Sequence, residues 1–107
     1  MSVAVYFSPA AEQDLIDVYT YYSDEESPAL AAELLQKLES ACRSLETFPE
    51  KGQCPRELER VSVFTYHQIH CMSYRIIYEV LHDEVLIHCV LDGRRDMSDM
   101  LTRRMLR

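Results

Sequence analysis

An α+β fold, with an antiparallel helical hairpin packed on an antiparallel sheet of about four strands, is what this 107-residue sequence predicts. Three observations carry that expectation. Two Ser-Pro pairs each open a long helical stripe, the apolar pattern turns from helical to extended near residue 62, and helical spacing returns after Gly93.

Residues 3–7, VAVYF, form a β-branched and aromatic run that reads as a strand and stops at Ser8-Pro9. Serine caps a helix and proline suits its first position, so the strand hands over directly to a helix. There Ala11, Leu15, Val18, Tyr19 and Tyr22 recur at helical spacing, with Glu12, Asp14 and Asp17 mainly opposite. Ser27-Pro28 repeats the start signal. Leu30, Leu34, Leu38, Ala41, Cys42 and Leu45 mark the stripe of a second helix to about Thr47, and the short SDEES connection suits an antiparallel hairpin. FPEKGQCPREL, with two prolines and a glycine, reads as loop.

From Ser62 to Leu91, VFTYHQIHCM, YRIIYEVL and EVLIHCVL predict three antiparallel strands, with HDE as a hairpin turn between the last two. DMSDMLTRRML then predicts a short C-terminal helix, with Met97, Met100, Leu101 and Met105 on its apolar side. The length fits a single domain spanning residues 1–107.

Composition narrows the function classes. A net charge of −7 argues against a surface that clings to nucleic acid throughout. The charge is unevenly placed. The first 59 residues hold twelve acids against four bases, whereas five of the eleven bases lie beyond Gly93 with only Asp96 and Asp99 against them. No apolar run reaches the roughly 20 residues that cross a bilayer, so a cytoplasmic protein without membrane contact is expected. Cys42, Cys54, Cys71 and Cys89 show no CxxC spacing and read as reduced, mostly buried thiols.

Strict alternation along the strands would place Tyr74, Ile76, Tyr78 and Val80 on one face and Arg75, Ile77 and Glu79 on the other. By the same rule Val85, Ile87, Cys89 and Leu91 share an apolar face, opposite Leu86, His88, Val90 and Asp92. The polar face is then expected to gather Arg75, Glu79, His88, Gln68 and His70. Such a set offers proton transfer by His or Glu and charge stabilisation by Arg for phosphodiester cleavage; the simpler reading is ordinary cross-strand pairing. A zinc site from His67, His70, Cys71, His88 and Cys89 is not expected, because adjacent strand residues point to opposite faces. No metal or other cofactor is expected. Arg103 and Arg104 complement the dipole at the end of the last helix, whereas Arg94 and Arg95 precede that helix and are candidate contacts for an anion or an acidic partner.

SPAAEQDLIDVYTYY, ESACRSLETFPEKGQCPREL, YRIIYEV and VLIHCVLDGRRDM, in that order and spacing, resemble the RelE/ParE family of toxins from bacterial type II toxin–antitoxin systems. The resemblance covers nearly the whole chain. It implies a compact toxin that forms a hetero-oligomer with a cognate ParD- or RelB-like antitoxin, with growth arrest and plasmid stabilisation as consequences. Two activities occur in the family: RelE-like members cut mRNA on the ribosome, and ParE-like members inhibit DNA gyrase.

Carried over residue by residue, the strand arginine of the nuclease branch matches Arg75 in YRIIY, and the arginine after the last strand matches Arg95. The tyrosine that follows six residues later in RelE-type nucleases falls on Leu101, which has no proton to transfer. The His-Tyr ending of the YoeB-like branch is absent too. Lys37 and Lys51 are the only lysines, and neither lies in the strands. The resemblance therefore favours a gyrase-directed toxin without catalytic residues, using Arg94, Arg95 and Arg75 for partner binding. The alternative is a ribosome-dependent endoribonuclease with Arg75, Arg95, Glu79, His70 and His88 as its site. A chain that has lost toxicity and only binds its antitoxin is a third reading.

Overall fold

The computed structural model describes residues 2–93 and 98–105. The elements follow in the order β1 (Ala4–Phe7), α1 (Pro9–Glu25), α2 (Pro28–Arg43), a 3₁₀ turn (Ser44–Glu46), α3 (Arg56–Glu59), β2 (Tyr66–Cys71), β3 (Tyr74–Leu81), β4 (Glu84–Asp92) and α4 (Ser98–Met105). Both Ser-Pro signals act as read from sequence: the Ser8 hydroxyl accepts from the Ala11 amide at 3.0 Å and the Ser27 hydroxyl from the Leu30 amide at 3.1 Å. Helix α1 runs through Glu25, so only Glu26 and Ser27 join the two helices.

The sheet order is β1-β4-β3-β2. β2, β3 and β4 form an antiparallel meander, as expected, but β1 joins parallel to β4, so the sheet is mixed. The helical hairpin returns the chain across the sheet before β2 begins, which frees β1 to lie beside the last strand in the same direction. Both strand-to-strand turns have two residues, with Met72 and His82 at positive φ in their first positions.

The main core lies between the hairpin and the sheet. Ala11, Leu34, Leu38, Cys42 and Leu45 from the helical side meet Val5, Ile76, Tyr78, Val85 and Ile87 from the strands. Tyr19 and Leu30, although on the helical stripes, are exposed. Burial pushes the Cys42 thiol up to about 12 and the Cys89 thiol to about 11, so both stay protonated and unreactive near neutral pH. Cys54 and Cys71 are only partly buried, and all four cysteines are free.

Residues 56–58, read from sequence as loop, instead belong to α3. Pro55 precedes the helix and Leu58 is fully buried, so one apolar side chain anchors a helical turn too short to show a period. That turn packs with α4 on the sheet face opposite the hairpin, where Leu58, Ile77, Cys89 and Leu101 make a second, smaller core. No helix among the described residues is long and apolar enough to cross a membrane.

Candidate functional site

The sheet face opposite the hairpin does carry Gln68, His70, Arg75, Glu79 and His88, but the second core divides them. A β-bulge in β4 sets the division. Ile77 pairs with Cys89 and Tyr78 with Ile87, leaving His88 as the extra residue. Strict alternation therefore fails at His88. Ile87 and Val90 belong to the hairpin-side core, whereas Cys89 belongs to the opposite one and Leu91 packs there too. The bulge also turns His88 and Cys89 to the same face, which removes the alternation argument against their joint ligation. Among the described residues, no three His, Cys, Asp or Glu side chains converge as metal ligands.

Arg75 is buried, with 7% of its surface exposed. Glu57 of α3 takes both of its terminal nitrogens, each at 2.7 Å, in a bidentate clasp. The Gln68 side-chain oxygen accepts from Arg75 Nε at 2.9 Å and from Nη2 at 2.6 Å. His70 sits opposite Arg75 in the β2–β3 register and lines the same pocket. Gly93 makes room for this arrangement: a Cβ there would lie 2.7 Å from the Arg75 Cγ. The sequence could not supply the partner of Arg75, because the Glu57 carboxylate reaches it only once residues 56–59 coil.

Glu79 and His88 form a separate pair. His88 Nε2 lies 3.0 Å from Glu79 Oε1, and the Tyr66 ring meets the imidazole edge-on at 5.3 Å between centroids. Burial, then the Glu79 charge, raises the Tyr66 hydroxyl pKa. Glu79 stands four residues along β3 from Arg75, about 13 Å at roughly 3.3 Å per residue. The acid–base pair and the buried cation therefore do not share one reacting centre.

Arg104 does more than complement a helix dipole. It donates to both oxygens of Asp14 at 3.2 Å and to the His88 carbonyl at 2.9 Å, while Asp14 Oδ2 accepts from the Val90 amide at 2.9 Å. Beyond Ile87 β4 has left its pairing with β1, and this ion pair satisfies its backbone where a neighbouring strand would. Asp14→Ala is expected to cost about 1–3 kcal/mol by stripping the Val90 amide and Arg104 of that partner. A urea unfolding midpoint measured beside wild type reads it.

Arg94 and Arg95 lie outside the described residues. Leu101, at the position of the nuclease-branch tyrosine, is fully buried against Leu58, Ile77 and Cys89.

A family model described as the ParE toxin of the type II toxin–antitoxin system parDE matches residues 5–97. The fold resembles a chain of the chromosomal ParDE system from P. aeruginosa with a TM-score of 0.71 at 15% identity, covering 85% of this chain and 96% of that one. It also resembles a chain of the RelBE2 toxin–antitoxin complex from Mycobacterium tuberculosis, with a TM-score of 0.59 at 23% identity, covering 86% and 99% respectively. No curated protein sequence matches.

Proposed function

We propose, on the premise that the chain belongs to the ParE toxin family of type II toxin–antitoxin systems, that it binds DNA gyrase, arrests growth and is held inactive by a cognate antitoxin. The solved relatives come from toxin–antitoxin systems of the ParDE and RelBE type, which supports a ParD- or RelB-like partner and a hetero-oligomer; in this reading the chain acts in the cytoplasm. The chain acts in this reading as one domain, with Arg94 and Arg95 meeting the partner at the end of β4. Arg75, buried as it is, holds the Glu57 and Gln68 side chains in place beside the partner surface rather than touching the partner broadly.

The observation that carries gyrase over mRNA as the target is the Glu57 clasp on Arg75. A guanidinium already neutralised by a bidentate carboxylate has little charge left for a developing oxyanion. The buried Leu101 supports the same choice, since it neither gives nor takes a proton.

One observation favours the second reading, a ribosome-dependent endoribonuclease: the partly buried Glu79–His88 pair is arranged as an acid–base couple. Expression of the chain alone in cells separates the two. The gyrase reading expects growth arrest with a DNA-damage response, relieved by the antitoxin gene, and no A-site cuts by primer extension on translated mRNA. Cuts that vanish in His88→Ala would replace it with the nuclease reading, and undisturbed growth would leave only antitoxin binding.

A further inference from the structure

Where β4 runs on beyond its pairing with β1, α1, α4 and the sheet edge enclose a cleft of about 600 Å³ that neither target reading uses. Its floor is apolar, with Val90 buried and Val18 and Met100 half-buried, whereas Asp17 and Tyr21 are exposed at its rim on α1. We infer that this cleft receives an arginine or lysine side chain of the cognate antitoxin, its stem lying on Val18, Val90 and Met100 and its cationic head meeting Asp17 and the Tyr21 ring. The inference rests on the antitoxin partnership proposed above and adds what that partner must carry.

Three features carry it. First, the charge of the cleft is complementary to a cation. Among its described lining residues the carboxylates of Asp14, Asp17 and Asp92 face one guanidinium, Arg104, in a chain of net charge −7. Arg104 is already committed to both oxygens of Asp14 and to the His88 carbonyl, so it is held back from an incoming head group. Asp17 accepts from the Gln13 amide at 2.9 Å, a neutral donor that leaves its charge in place. Second, Asp17 and Tyr21 stand one helical turn apart on α1 and so present a carboxylate and an aromatic ring on one face. That pair suits a cation carried on an apolar stem, which the floor can cover while the head stays at the wet rim. A purely apolar side chain would leave Asp17 without a partner, and an acidic one would be repelled. Third, the sheet edge at the cleft is closed to an added strand, because the Val90 amide and the His88 carbonyl are taken by Asp14 and Arg104. The occupant is therefore held through its side chains.

Calorimetric titration of the full chain with the cognate antitoxin, at ~50 mM and ~300 mM salt, tests it. Asp17 and Tyr21 are exposed, so their variants should keep the wild-type melting temperature. Asp17→Lys is expected to bind at least ~10-fold more weakly at the lower salt and Asp17→Asn ~3-fold, with both losses shrinking at the higher salt. Tyr21→Ala should lose ~3-fold and Tyr21→Phe should not, because a phenyl face still attracts a cation. Glu39→Lys, exposed on α2 and outside the cleft, makes the same charge change and should bind as wild type does. Replacing the antitoxin's arginines and lysines one at a time by glutamate should then yield one variant that binds Asp17→Lys better than it binds the wild-type chain. Wild-type affinity in Asp17→Lys, equal losses in Asp17→Lys and Glu39→Lys, or no such antitoxin variant would overturn the inference and leave the antitoxin partnership standing. An antitoxin that does not bind the wild-type chain would overturn both.

Discussion

Glu57→Leu is expected to destabilise the chain by about 3–5 kcal/mol, because it leaves the Arg75 charge buried without its carboxylate, and Arg75→Met, which removes the clasping cation, is expected to destabilise it as well. The side chains of Arg75 and Glu57 are only 8% and 14% exposed, so water offers little compensation. Glu57→Leu also abandons a guanidinium whose remaining hydrogen-bond partner, among the described residues, is Gln68. The double variant Glu57→Leu/Arg75→Met is expected to recover most of the loss, since apolar side chains of similar size replace a buried ion pair at little net cost. Urea unfolding of the four proteins in a double-mutant cycle reads the coupling. Additive single losses would mean that the clasp contributes no coupling, and would reopen Arg75 as a cation available to chemistry. In cells, the double variant should stay toxic if Arg75 is structural.

Leu101→Ala is expected to cost about 2–5 kcal/mol, the range for emptying a fully buried leucine site. Leu101 joins α4 to α3 and the sheet through Leu58, Ile77 and Cys89, so the loss should fall first on α4. Faster amide exchange across Ser98–Met105 than across the hairpin-side core would show it. Leu101→Tyr makes the complementary point. Returning a tyrosine to this position should overpack the small core by about 1–3 kcal/mol, and it should bring no mRNA cleavage, since the ring would enter a space already filled. Unchanged stability in Leu101→Ala would mean that α4 does not depend on this contact.

Local signals carried most of the fold. Ser8-Pro9 and Ser27-Pro28 mark their helix starts because a cap is a contact over three residues. The three strands of the meander were legible from their β-branched and aromatic runs. What sequence did not reveal depends on residues far apart or on one inserted residue. The bulge at His88 breaks a two-residue period that nothing local contradicts, and it sends Cys89 and Leu91 to the opposite face. α3 holds four residues between a proline-rich stretch and Arg60, below the length at which any period shows. Its absence from the reading hid Glu57, and with it the reason Arg75 meets neither Glu79 nor His88. Asp14 and Arg104, 90 residues apart, share a bond that only the folded sheet edge explains. The candidate site was thus legible as a list of residues on one face, and its division into a clasped cation and a separate acid–base pair was not.

The proposed target of this ParE-family chain is gyrase and not translated mRNA. A supercoiling assay with purified gyrase, relaxed plasmid and increasing amounts of the chain tests it most directly. Supercoiling is expected to fall as the chain is added and to return when the cognate antitoxin is supplied. Unaltered supercoiling at saturating chain, in a reaction that a known gyrase inhibitor still blocks, would contradict it.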